Sequence, residues 1–255
     1  MLKLRTFVLF FAVAAAAAAH ADWNVLSVAS EPGRAGVEHR HIVVENTSAD
    51  QRADLDLAIF SGKSCTLRVI DNPDGQTLAA VMKREKCVCG VNGGYFDANF
   101  EPIGLRIANA QTMAPLRRAR LITGVLLASS GGVQIVRARE FSPRQKIVAA
   151  IQCGPFLIDA SQRIRGLNES AVARRTFAAT ARNDRALLGF CSEVSLAELA
   201  TVLATVPIAA DLKIQRAINL DGGSSSALWF ARENGSAFSI SEQKPVRDFV
   251  AVVPR

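Results

Sequence analysis

Short apolar runs, each closed by turn residues, recur along the chain and limit it to a strand-rich fold. His39-Arg40-His41-Ile42-Val43-Val44 and Leu55-Asp56-Leu57-Ala58-Ile59-Phe60 have strand length, and the second alternates with period two. Thr66–Ile70 follows and stops at the turn Asp71-Asn72-Pro73-Asp74-Gly75. Leu121–Ala128 and Val133–Arg139 flank Ser130-Gly131-Gly132, the pattern of a hairpin. Ile147–Ile151, Phe156–Ile158, Thr176–Ala181 and Ala186–Cys191 are further strands, with Asn183-Asp184 turning the last pair back on itself. One helix is well signalled. Ser195 and Glu198 form a capping box, Leu196, Leu199, Ala200 and Leu203 make one apolar stripe, and Pro207 ends it. A second helix covers Leu78–Lys86. The expectation is an α+β fold, a strand-rich single domain with a mixed sheet and a few packed helices. No proline- or serine-rich linker divides residues 22–255.

The first residues follow another logic. Lys3 and Arg5 precede an apolar run from Phe7 to Ala19, and Ala19-His20-Ala21 is a small-x-small site. This predicts a signal peptide over 1–21, cleaved before Asp22, and hence a secreted or periplasmic protein with no stable membrane insertion afterwards. An uncleaved anchor is the rival, and thirteen apolar residues are short for a span. Cleavage removes two of the seven net positive charges of the chain, leaving +5. That balance favours acidic, including phosphate-bearing, partners. The arginine groups Arg117/Arg118/Arg120, Arg137/Arg139, Arg163/Arg165 and Arg174/Arg175 lack interleaved aromatics, so they read as a solvated face and not as a nucleic-acid surface. Five cysteines, Cys65, Cys87, Cys89, Cys153 and Cys191, leave an odd thiol in an exported chain. Cys153 with Cys191 and Cys65 with Cys87 are the pairings considered, with simply buried thiols as the alternative.

Two glycine loops stand out. Cys87-Val88-Cys89-Gly90-Val91-Asn92-Gly93-Gly94-Tyr95-Phe96-Asp97 and Ile218-Asn219-Leu220-Asp221-Gly222-Gly223-Ser224-Ser225-Ser226 are apolar runs that break into a polar residue and two glycines. Each reads as a strand ending in a loop, where glycine permits positive φ and lets a ligand approach backbone amides. The bland alternative is two tight turns, with Asn92 and Asp221 capping their own backbone. Ser225 and Ser226 could likewise cap the element that runs into Trp229. Other chemistries find little support. GGSSS is not a nucleophile elbow, and there is no phosphate-binding P-loop and no dinucleotide fingerprint. His39 and His41, two apart on one strand, read as part of a half-buried strand before they read as metal ligands. No motif calls for a metal or another cofactor.

Asn92-Gly93-Gly94-Tyr95-Phe96, Gly154-Pro155-Phe156-Leu157-Ile158, Arg175-Thr176-Phe177-Ala178 and Asn219-Leu220-Asp221-Gly222-Gly223-Ser224-Ser225, in that order, resemble the phosphodiester glycosidase family. The capped helix and the closing Val246-Arg247-Asp248-Phe249-Val250 segment fit the same likeness, which runs from about residue 39 to the end. The resemblance implies hydrolysis of a glycosyl-1-phosphodiester to a sugar and a phosphomonoester. Its site would include Asn92, Gly93, Gly94, Arg175, Asp221, Gly222, Gly223 and Ser224. One departure is that Phe177 and Ala179 stand where the family has a small residue and a glycine, which is expected to narrow the pocket beside Arg175.

The chemistry suits these residue types. Breaking a glycosyl–phosphate bond builds positive charge on the sugar and negative charge on the departing phosphate. A carboxylate stabilises the first, and an arginine with loop amides stabilises the second. The assignment is Asp221 as carboxylate, Arg175 as clamp, and Asn92 and Ser224 as positioning groups. Asp97 is the best second carboxylate and Glu169 the next. Two other readings keep the same loops: a hydrolase of ordinary glycosidic bonds in an envelope glycan, and a non-catalytic sugar- or phosphate-binding domain.

Overall fold

A computed structural model describes residues 23–143, 146–208 and 212–255, so the expected signal peptide lies outside the described residues. The strands assemble into three sheets, and every pairing between them is antiparallel. The largest runs, in spatial order, Trp23–Pro32, Glu38–Asn46, Gln51–Ser61, Arg185–Val194, Ala173–Ala181, Ile214–Asn219, Phe156–Asp159 and Gln162–Arg163. A second contains Gln111–Ala114, Arg106–Ala108, Ile147–Cys153, Gly124–Ser129 and Gly132–Arg137. The third contains Ala237–Ile240, Leu228–Ala231, Cys89–Asn92, Asp248–Pro254 and Cys65–Asp71. Two α-helices are described, Leu78–Arg84 and Leu196–Thr205. The chain is therefore mostly β. The mixed sheet expected from sequence is corrected to antiparallel ones: neighbours consecutive in the chain pair as hairpins, and the non-consecutive neighbours also run antiparallel.

Local chemistry accounts for the main elements. Asn183 and Asp184 both take positive φ, the conformation that a right-twisted two-residue hairpin demands, and Thr180 pairs with Ala186 across it. Ser195 accepts from the Glu198 amide while the Glu198 carboxylate accepts from the Ser195 amide, as the capping box requires. The helix ends at Thr205, before Pro207. Thr77 caps the shorter helix.

One apolar cluster draws on all three sheets, with Phe60, Phe190 and Ile218 from the first, Leu126 and Ile151 from the second, and Val69, Val91 and Phe230 from the third. The outer face of the large sheet is covered by the Leu196–Thr205 helix and that of the third sheet by the Leu78–Arg84 helix. Strands covered on both faces lose the polar alternation that a half-exposed strand shows. Leu55–Phe60 is buried throughout, and its one acid, Asp56, is bonded by His39 Nε2 at 2.9 Å and His41 Nδ1 at 3.1 Å.

All five cysteines are buried and free. The pairings considered from sequence fail because the members of each lie on opposite faces of a sheet. Cys153 and Cys65 point into the shared cluster, Cys191 behind the large sheet and Cys87 behind the third. Burial pushes the Cys87 thiol up to about 11 and Cys153 up to about 12, which keeps both as unreactive thiols.

Candidate active site

The two glycine loops meet where the large and third sheets adjoin. The Ile214–Asn219 strand runs out into Asp221, whose amide donates to the Gly93 carbonyl at 3.1 Å. Leu220 donates to the Thr176 carbonyl, so Asp221 lies beside Arg175 on the neighbouring strand. Asn92 ties the three segments together. Its Oδ1 accepts from Thr176 Oγ1 at 2.7 Å and the Ala227 amide at 3.0 Å, and its Nδ2 donates to the Asp221 carbonyl at 2.8 Å. Asn92 is completely buried. Its side-chain oxygen is thus committed within the protein, and its amide ties it to the Asp221 backbone.

The glycines of the two loops differ in what they do. Neither Gly93 nor Gly94 has positive φ. A Cβ on Gly93 would stand 1.8 Å from Asp248 Oδ1, and one on Gly94 1.9 Å from Arg106 Nη2. Their amides are spent on Asp248, on its carbonyl at 2.8 Å and on its Oδ1 at 2.8 Å. The expectation that this loop offers amides to a ligand is therefore corrected, because its bare backbone admits a buried ion pair. Arg106 Nε meets Asp248 Oδ2 at 2.6 Å with both side chains 2% exposed, and Arg106 also donates to the carbonyls of Leu105 and Tyr95. Sequence reasoning missed Arg106 and gave Asp248 no role. An arginine in an apolar strand, matched by an acid in the closing strand, was the available signal.

The second loop is left open. Gly222 is half-buried, and a Cβ there would lie 3.8 Å from Arg175 Nη1. Gly223 takes φ +63 with no atom crowding it, the left-handed turn for which glycine is suited. Gly223–Ser225 forms one 3-10 turn, whose first amides have no intrahelical acceptor. The Ser225 and Ser226 hydroxyls and Asn219 Oδ1 are buried without a protein hydrogen bond, so the serines do not cap the following strand with their side chains. Ser224 is half-buried, and its carbonyl accepts from the Gln243 amide at 2.7 Å.

The charges here are unpaired. Arg175 is 9% exposed; its Nε donates to the Val194 carbonyl at 2.9 Å and its Nη2 to the Ala171 carbonyl. Among the described residues it has no carboxylate partner, and burial pulls its pKa down. Asp221 accepts from the Gly222 amide at 2.9 Å on Oδ1. Burial raises its pKa, against opposing pulls from the Ser225 hydroxyl, Lys244 and the Gly222 amide. Ser225 stands near the carboxylate without the geometry of a hydrogen bond. Lys244, which sequence reasoning missed, is exposed with its ammonium 5.1 Å from the Phe96 ring centre. Tyr95 Oη donates to the Gly154 carbonyl at 2.7 Å and accepts from Asn219 Nδ2 at 3.0 Å, and burial raises its pKa.

The expected second carboxylates, Asp97 and Glu169, are both exposed. Asp97 is exposed and its Oδ1 accepts from the amides of Asn99 and Glu101, which makes it the cap of its own turn. Glu169 is exposed beside the Asn168 cap. Phe177 does not line this cleft. It is fully buried behind the large sheet, its ring against Gly189, where a Cβ would lie 2.3 Å from the ring. Among the described residues no group of three His, Cys, Asp or Glu side chains could hold a metal ion, and no helix is long and apolar enough to cross a membrane.

Solved structures place this fold among known ones. A hypothetical protein from Synechocystis matches with TM-score 0.63 at 14% identity, over 92% of this chain and 68% of that one. The zebrafish N-acetylglucosamine-1-phosphodiester alpha-N-acetylglucosaminidase catalytic domain, solved auto-inhibited by its pro-peptide, matches with TM-score 0.61 at 14% identity, over 92% and 83%. A Burkholderia pseudomallei protein described as exported matches with TM-score 0.58 at 13% identity, over 80% and 75%. No curated protein sequence matches. The phosphodiester glycosidase family model matches residues 85–253, well over half the chain and both glycine loops. The chain belongs to the phosphodiester glycosidase family.

Proposed function

We propose that this protein is an exported hydrolase of glycosyl-1-phosphodiesters, of the N-acetylglucosamine-1-phosphodiester kind, releasing a sugar and a phosphomonoester. The observation that carries this reading is a buried arginine, with no carboxylate partner among the described residues, facing the same glycine loop as a half-buried aspartate that has no ion pair. Either charge alone is costly to bury. A substrate with a cationic transition state at the sugar and an anionic leaving phosphate satisfies both at once.

Asp221 faces the anomeric carbon and stabilises the developing positive charge as nucleophile or base. Arg175 Nη1 and the open end of the Gly223–Ser225 turn take the phosphate, with Lys244 as a second cation at the rim. Ser224, half-buried on that turn, orients the ligand. A phosphate departs without a strong proton donor, so one free carboxylate suffices. Asp248, held by Arg106, maintains the loop and takes no part in proton transfer.

The test is turnover of N-acetylglucosamine-α-1-phospho-methyl-mannoside by wild type and Asp221→Asn. The reading predicts release of N-acetylglucosamine and methyl mannoside phosphate by wild type and a loss on the order of a thousandfold in the variant. Saturable binding without cleavage by wild type would make the protein a binding domain, and equal turnover by both would remove Asp221 from the chemistry.

A further inference from the structure

Two of the arginine groups that read as solvated face in the sequence are folded onto one concavity. A cavity of about 550 Å³ is lined by Arg117, Arg118, Arg137 and Arg139, with Leu116 and Phe141 among its apolar walls. Arg137 is anchored: it donates to Asp159 at 2.8 Å and lies 4.9 Å over the Phe156 ring. Asp159 is shared with Arg216, and Glu140 also bonds Arg216. The nearby acids are thus already claimed. Among the described residues Arg117, Arg118 and Arg139 have no ion pair, and all three are exposed.

The rim is built and not merely decorated with charge. Gln152, completely buried, accepts from the Arg117 amide at 3.0 Å and donates to the Arg117 and Ile122 carbonyls at 2.6 and 2.9 Å. One buried side chain therefore pins the arginine loop at both ends. The loop also abuts the candidate active site. A Cβ on Gly154 would lie 2.3 Å from the Leu121 carbonyl and 2.8 Å from the Thr123 amide, while the Gly154 carbonyl takes the Tyr95 hydroxyl that in turn is held by Asn219, two residues before Asp221. Thr123 of the cavity lining thus packs directly on Gly154.

We infer that this cavity is a second phosphate-binding subsite, holding a neighbouring phosphodiester of a substrate that carries several, so that the natural substrate is a phosphodiester-linked glycan chain and not a lone sugar phosphodiester. This rests on the hydrolase reading above for its biological sense, and on charge and geometry for the site itself. Guanidinium groups on a preorganised rim recognise phosphate oxygens in paired hydrogen bonds, and unpaired arginines confronting one concavity repel each other until an anion enters.

The experiment separates the two. Binding of inorganic tripolyphosphate is measured by calorimetry at fixed ionic strength for wild type, for R117Q/R118Q/R139Q, and for R34Q/R52Q/R182Q, which removes the same charge from exposed arginines elsewhere. The cavity triple is expected to weaken binding at least about tenfold, and the control triple less than about threefold, since distant exposed charges are screened. Catalysis plays no part in this readout, so it stands even where no turnover is found. Where turnover is found, the cavity triple raises KM for an oligomeric phosphodiester glycan and leaves the single phosphodiester unaffected. Equal weakening by the two triples overturns the subsite. Cavity-dependent binding to phosphatidylglycerol vesicles with none to tripolyphosphate also overturns it, and assigns the surface to a membrane.

Discussion

The Asn92-Gly93-Gly94 and Asp221-Gly222-Gly223 loops look alike in sequence and serve opposite ends. The first is sealed: its amides and the space over its glycines are filled by Asp248 and Arg106. The second is open, with Asp221, Arg175, Ser225 and Ser226 lacking ion-pair or hydroxyl partners around it. A glycine pair therefore marks close approach, and what approaches must be read from the charges around it. In one loop the approaching group is built into the protein. In the other it has to come from outside.

The contrast can be broken most forcefully at Asp248. Asp248→Asn leaves Arg106 charged, buried and unmatched, and should cost about 3–5 kcal/mol of stability by urea unfolding. Arg175→Gln should instead lower kcat/KM on a sugar phosphodiester by about 10²–10³ with the fold retained, as loss of a transition-state donor does. Gly93→Ala should cost at least about 1–3 kcal/mol, because its methyl meets a buried carboxylate. Gly223→Ala meets no atom and should cost only the left-handed backbone, about 1–2 kcal/mol.

The smallest effects come from pH. His39 is buried, which disfavours its protonated form, but Asp56 and Glu31 outweigh this and its pKa rises above 6.5. Its stabilising contribution is thus complete below about pH 6.5 and lost as pH rises through the raised value. Thermal unfolding of wild type and His39→Gln should converge as pH increases across that window. Asp221, raised above 3.8, should set an acid limb in kcat/KM above that ordinary value, because protonation removes the carboxylate.

Much of this was legible in the sequence. The capping box at Ser195, the Asn183-Asp184 hairpin and most long strands follow from local patterning. Asp221 and Arg175 were picked out through the family likeness, and the Leu220 amide to Thr176 carbonyl bond brings their segments together. Trp23–Pro32 escaped because it is an edge strand, largely exposed, whose apolar alternation is broken by a bulge between Val25 and Ser27. Arg106 and Lys244 escaped because each meets its partner across a long stretch of chain, where no local spacing signals the contact. That Asn92 and the Gly93-Gly94 amides are bonded within the protein was not legible for a related reason. Whether a polar group is free or spent depends on which strand packs beside it, and that is fixed only by the assembled sheets.

The most direct test compares the unfolding free energies of Asp221→Asn and Asp248→Asn at neutral pH. Burial disfavours ionised Asp221, so its folded pKa is raised and its charge is a burden above that value. The account predicts that Asp221→Asn is as stable as wild type or more so, while Asp248→Asn loses several kcal/mol. Equal large losses in both would mean that the two loops are both structural, and would contradict the assignment of the open one to a ligand.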